Sequence, residues 1–227
     1  MLLLQFSTSH YCRKARLALG YKHIPYRVEN LTPGLHRFRI APLTGLTTVP
    51  TVLPEQETAP KAIGDSTQIL HFLEQYCPTP SLSLDDPQDN QTVWLLEDWL
   101  DESLGTATRF VYYDYRAGEG QHIDPSLMSQ VVIQIVRSQY GMNPARVAIA
   151  IQRLKTGLAY LEQRWTTHLV GDRLTAADLT AAALLSPLML IPTYCQTYPW
   201  LSDRIRDVHH QCHAALPPGL SSNPSTE

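Results

Sequence analysis

Cys77-Pro78-Thr79-Pro80-Ser81-Leu82-Ser83-Leu84-Asp85-Asp86-Pro87-Gln88 is the stretch on which the fold of this chain turns. Its prolines fix φ and remove backbone donors, so no helix runs through it, and it reads as an interdomain linker. On its N-terminal side, short apolar runs alternate with helical periods. On its C-terminal side every strong period is helical. The chain therefore divides into an α/β unit over residues 1–76, a linker over 77–88, an all-α helical unit over 89–216 and a flexible tail over 217–227.

Working back from the linker, Ser66 to Tyr76 carries Ile69, Leu70, Leu73 and Tyr76 at helical spacing. Val49–Leu53 and Ala59–Ile63 flank a polar turn and read as a hairpin. Residues 31–48 read as irregular, with one helical turn near Leu35–Ile40. Pro25–Glu29 alternates like a strand, and Tyr11, Ala15, Ala18 and Leu19 form one helix face that Gly20 and Pro25 end. Leu2 to Phe6 is a near-continuous apolar run, as expected of a strand covered on both faces. The order β-α-β, irregular, β-β-α suits a small mixed sheet with helices packed on it.

Working forward, Val93, Leu96, Leu100, Leu104, Ala107 and Val111 step by three and four, and Val147 to Trp165 does the same. Further helices are expected near 126–138, 176–190 and 200–212. Thr175 and Asp178 have the spacing of a capping box, with Leu174 and Leu179 placed as its hydrophobic staple.

Composition narrows the function. The 227 residues hold 18 Lys+Arg against 21 Asp+Glu, a net charge of −3. That balance supplies no basic field for nucleic acid. Mean hydropathy is −0.18, and no apolar run approaches the roughly 18 residues that span a bilayer. The apolar start lacks the basic region of a secretory signal. Four scattered cysteines, Cys12, Cys77, Cys195 and Cys212, show neither a disulfide framework nor zinc-ligand spacing. A reducing cytoplasm is expected, with no metal.

Three features of the first unit form a set: Ser9-His10-Tyr11-Cys12-Arg13-Lys14-Ala15-Arg16-Leu17 where strand one turns into helix one, Val49-Pro50 opening the third strand, and Asp65-Ser66 starting the last helix. Their order, followed by the linker and the Thr175–Asp178 box, resembles the cytosolic glutathione S-transferases over residues 1 to about 212. The resemblance implies a thioredoxin-like N-terminal domain that holds glutathione as co-substrate and a helical domain that lines the pocket for a small hydrophobic electrophile. It also implies a two-fold homodimer.

Carried over residue by residue, Pro50 becomes a cis-proline, and the Val49 backbone pairs with the cysteinyl part of glutathione like an added strand. Asp65 and Ser66 hold the γ-glutamyl end at a helix N-terminus; the same pair is also an ordinary helix cap. The tyrosine of some classes aligns with Gln5, which has no phenol, and the serine position aligns with Ser9. Ser9 is the expected thiolate stabiliser, with Ser7, Tyr11 and Cys12 as rivals for the role.

Ser9-His10-Tyr11-Cys12 resembles a redox CxxC whose first cysteine has become serine, which favours conjugation over disulfide exchange. His36, Arg37 and Arg39 are candidates for the glycine carboxylate. Tyr11, Arg109, Tyr112 and Tyr113 are candidates for the electrophile site, although tyrosines at such spacing also pack between helices. The motif is similar to bacterial chi-like members, which adds isothiocyanates to the expected substrates. Glutathione-dependent isomerase, dehalogenase or peroxidase chemistry fits the same residues, and so does a non-catalytic binding module.

Overall fold

The computed structural model describes residues 1–56 and 59–220. Strand β1 (Leu2–Gln5) lies inside a four-stranded sheet of order β2-β1-β3-β4. It pairs in parallel with β2 (Arg27–Asn30) and antiparallel with β3 (Thr51–Leu53), which pairs antiparallel with β4 (Ile63–Gly64). The first connection crosses over through α1 (His10–Tyr21), as a parallel pair demands. Helix α3 (Ser66–Tyr76) buries Ile69, Leu70 and Leu73 beside α1.

The helical unit comprises α4 (Pro87–Trp99), a π-helical segment (Leu100–Gly105), α5 (Thr106–Ala117), α6 (Leu127–Gln139), α7 (Pro144–Arg164), α8 (Ala176–Leu185), α9 (Pro192–Thr197) and α10 (Pro199–Gln211). Helix α8 is buried along its whole length and packs against α1, α4 and α10. One core therefore runs from Leu3 and Ala15 through Leu100 and Leu158 to Leu185 and Ile205. At the start of α8, the Asp178 carboxylate accepts from the Thr175 N–H at 2.9 Å, the Thr175 hydroxyl at 2.8 Å and the Leu169 N–H at 2.8 Å. This is the acidic half of the expected capping box, and it also ties down the loop before the helix.

Several expectations need correction. Gly20 does not end α1, which runs to Tyr21. It is instead a point of close approach, where a Cβ would collide with the Cys212 backbone carbonyl. The irregular segment holds a full helix, α2 (His36–Thr44), which carries Pro42 and stops at Gly45 with φ 74°. The long period from Val93 to Val111 is three pieces, because a π segment interrupts it. Helix α8 ends at Leu185, and residues 186–190 are 3₁₀. Pro217 and Leu220, in the stretch expected to be a flexible tail, are buried; residues 221–227 of that stretch lie outside the described residues.

The proline-rich stretch after Tyr76 is a packed strap. The Lys22 ammonium donates to the Cys77 carbonyl at 2.7 Å and the Pro80 carbonyl at 2.9 Å, and pairs with Glu74 at 2.7 Å. Glu74 accepts the Leu82 N–H at 3.0 Å. Leu82 is fully buried, and its carbonyl accepts from Ala176 N–H at the start of α8. Leu84 presses on Gly171, whose φ of 68° and lack of a side chain admit it. Asp86 then caps α4 by accepting from the Gln88 and Asp89 N–H groups at 2.9 Å.

Candidate functional site

Sheet register gathers three of the sequence motifs on one edge. Leu4 sits opposite Thr51 and Thr51 opposite Gly64, so Val49, the turn after β1 and Asp65-Ser66 all emerge at the same end. The Val49–Pro50 peptide is cis and Pro50 is buried. Among the described residues the Val49 N–H and C=O have no backbone partner.

Ser9 closes the turn from β1 through its N–H to the Phe6 carbonyl at 3.1 Å. It is the N-cap of α1, and its Oγ accepts from the Cys12 N–H at 3.3 Å. That leaves the hydroxyl proton for an acceptor at the positive end of the helix. Cys12 is completely buried, and burial pushes its thiol pKa up against the opposing pull of the Ser9 side chain and the Phe6 backbone. It is a core residue. Gln5 is occupied too, bonded to Arg16 and donating to Asn30 at 3.0 Å.

Asp65 adopts φ 70°, a region costly for any residue but glycine, while Oδ1 accepts from the Thr67 and Gln68 N–H groups at 3.0 and 3.1 Å. Ser66 is 2% exposed, and its hydroxyl donates to Asp101 Oδ1 at 3.3 Å. The Ser66 side chain is thus aimed at the helical unit.

Beneath this edge lies a feature that the sequence reading missed. The Lys14 ammonium, wholly buried on α1, pairs with Glu97 of α4 and with Asp101 of the π segment at 2.5 Å. Thr67 links the same groups, accepting from Lys14 at 3.0 Å and donating to Glu97 at 3.0 Å. Two carboxylates and one ammonium join the first unit to the second. Nothing in local sequence marks them, because charges four residues apart on a helix usually face solvent.

His10 and Tyr11 dock on the π segment. The wider i→i+5 winding frees carbonyls that an α-helix would use. The Tyr11 hydroxyl donates to the Asp101 carbonyl at 2.9 Å, and His10 Nε2 lies 3.3 Å from the Gly105 carbonyl. Burial raises the Tyr11 phenol pKa to about 12, and burial with Arg109 beside it holds His10 well below the usual imidazole value. Gly105, inside an otherwise regular helical pattern, was the only sequence sign of this segment.

The remaining candidates cluster on α5. The Arg109 guanidinium sits between two rings, 4.9 Å from the Tyr11 centroid and 4.5 Å from that of Tyr140. Tyr112 and Tyr113 meet edge to face at 5.4 Å, and the Tyr112 hydroxyl accepts from Arg116 at 2.9 Å. Tyr140 and Arg116 join the cluster without having been expected there. Of the glycine-end candidates, His36 packs edge-on to Phe6 at 4.8 Å, Arg39 pairs with Glu29 at 3.5 Å, and Arg37 is exposed.

Comparison with known proteins shows the fold. Residues 3–81 match the family profile "Glutathione S-transferase, N-terminal domain", and the chain as a whole has the glutathione S-transferase fold, an N-terminal mixed-sheet unit followed by an all-α unit. No curated protein sequence matches it.

Among solved structures, a glutathione S-transferase from Methylobacterium radiotolerans in complex with glutathione sulfonate is similar, at TM-score 0.72 and 20% identity over 100% of this chain and 97% of that one. Beta-etherase LigF from Sphingobium sp. strain SYK-6 matches at 0.71 and 18% identity, covering 96% of each chain. A bacterial maleyl pyruvate isomerase of the zeta class matches at 0.68 and 18% identity over 100% of each. These likenesses share one architecture across different named activities. Among the described residues no helix is long and apolar enough to cross a membrane, and no group of three or more His, Cys, Asp or Glu converges as a metal site would.

Proposed function

We propose that the chain is a serine-type glutathione transferase of the chi-like kind, binding glutathione along the edge formed by Ser9, Val49-Pro50 and Asp65-Ser66. The observation that carries this reading is the unpaired Val49 backbone beside the capped N-termini of α1 and α3. The peptide's cysteinyl part adds to Val49 as a strand, and its γ-glutamyl carboxylate meets the start of α3, where Ser66 and Asp65 stand.

Ser9 donates its hydroxyl to the glutathione sulfur. Lowering a thiol pKa by about two units needs about 2.7 kcal/mol in favour of the thiolate. A hydrogen bond to a charged group contributes about 1.5–3 kcal/mol, and a helix N-terminus about 0.3–1 kcal/mol more. The two together suffice without a metal. The thiolate then attacks a small hydrophobic electrophile held near Tyr11, Arg109, Tyr112 and Tyr113. Tyr11 contributes its ring face, since its hydroxyl is engaged by the π segment. The protein acts in the cytoplasm as a homodimer.

Calorimetric titration of glutathione into the wild type and Ser66→Ala, with turnover of chlorodinitrobenzene and an isothiocyanate, tests this. Binding is expected, weaker in Ser66→Ala while the chemical step is little changed. Absence of binding by the wild type would refute the reading.

A further inference from the structure

A cavity of about 280 Å³ opens beside Ser7 and contains none of Ser9, Val49, Pro50, Asp65 or Ser66. Its polar side is made by Arg13 and Arg16 of α1 and His209 of α10, with His213 at the rim. Arg13, Arg16 and Leu17 fall at i, i+3 and i+4, so one stripe of α1 faces it. Leu17, Tyr26 and Leu216 supply apolar wall, and among the described residues no acidic side chain lines it.

Among the described residues the charges here lack counter-charges. Arg13 is 6% exposed, yet its one side-chain partner is the neutral Ser186 hydroxyl. Arg16 donates to Gln5 and to the Ser7 carbonyl, again neutral acceptors. Neither arginine forms an ion pair among the described residues. A buried cation without a counter-charge is costly.

His209 points the same way. It is fully buried, its Nδ1 donates to the Ile205 carbonyl at 2.8 Å, and its Nε2 has no partner. That nitrogen is a bare lone pair, able to take up a proton and donate it once a negative charge lies before it.

We propose that this cavity is a binding site for a small organic carboxylate with an apolar body. Two guanidiniums with spare N–H groups match a carboxylate's two oxygens, and Leu17, Tyr26 and Leu216 face the apolar rest of such a molecule. The proposal is independent of the glutathione reading, because it uses a different set of residues.

The test is calorimetric titration of the full chain with benzoate, hexanoate, uncharged benzamide, inorganic phosphate and glutathione. Benzoate and hexanoate are expected to bind, with benzamide weaker by about tenfold or more, the factor that one lost charge-assisted contact of about 1.4 kcal/mol represents, and with phosphate weaker because it leaves Leu17, Tyr26 and Leu216 uncovered. Arg16→Gln is expected to weaken benzoate by a similar factor. Ala215→Trp, which fills the mouth from an exposed loop position, is expected to abolish binding with the melting temperature unchanged. Saturating glutathione should not displace benzoate. The proposal is overturned if no carboxylate binds, if benzamide or phosphate equals benzoate, if Ala215→Trp leaves benzoate bound, or if glutathione competes for the site.

Discussion

Replacing Lys14 by methionine keeps the shape of its buried stem and removes the ammonium. Glu97 is 1% exposed and Asp101 6%, so neither carboxylate can turn to water without moving the α4–π junction. What remains around them are hydroxyls, Ser66 on Asp101 at 3.3 Å and Thr67 and Thr180 on Glu97 at 3.0 and 3.4 Å. Removing one partner of a buried charge group typically costs about 3–5 kcal/mol. For a chain of this size each kcal/mol is worth about 2–4 °C, so Lys14→Met is expected to melt roughly 6–20 °C below the wild type in calorimetry. The triple variant Lys14→Met/Glu97→Leu/Asp101→Leu should recover most of the loss, since an apolar replacement leaves no charge stranded. A single variant within about 1 kcal/mol of wild type, or a triple variant no better than the single, would refute the reasoning.

Gly20→Ala should destabilise the protein even though alanine favours a helix by about 1 kcal/mol over glycine, because the new Cβ meets the Cys212 carbonyl; a raised melting temperature would contradict this. Tyr11→Phe is expected to cost about 0.5–1.5 kcal/mol for its bond to the Asp101 carbonyl and to leave the pKa of bound glutathione unchanged, as difference titration would show. Glu74 titrates below its usual value because the bonds from Lys22, Ser81 and the Leu82 N–H outweigh the opposing effect of burial. A lowered carboxylate pKa contributes stability above the unfolded value, about 4.3, and loses it as pH falls through the folded value. Glu74→Gln should therefore flatten the fall in denaturant stability below about pH 5, the onset expected for that loss, and an unchanged acid limb would count against the strap's role.

The sequence reading located elements by period and failed where the chain departs from period. Helix α3 was legible because Ile69, Leu70 and Leu73 recur at helical spacing and Asp65 precedes them as a cap. Helix α2 was not, since Pro33, Gly34, Pro42 and Gly45 dominate its composition and Ile40 is its only buried residue. The π segment escaped because Leu100 and Leu104 keep a four-residue step across it, so the apolar pattern looks uninterrupted. At the site, Asp65 was legible as a helix cap, a local property. The Lys14 network and the Arg13–Arg16 cavity depend on residues more than eighty positions apart meeting across two units, and a single sequence gives no sign of such meetings. The strap at Cys77 was legible as a breaker of helices. Its pinning by Lys22 and Glu74 is a tertiary fact.

The claim that Ser9 activates a bound thiol is tested most directly by the ultraviolet thiolate absorbance of glutathione on the wild type and on Ser9→Ala, followed against pH. Bound glutathione is expected to titrate about two units below a free thiol's value near 8.5, and Ser9→Ala is expected to return most of that difference while glutathione still binds. A thiol that titrates at its free value on the wild type, or a depressed value that persists in Ser9→Ala, would contradict it.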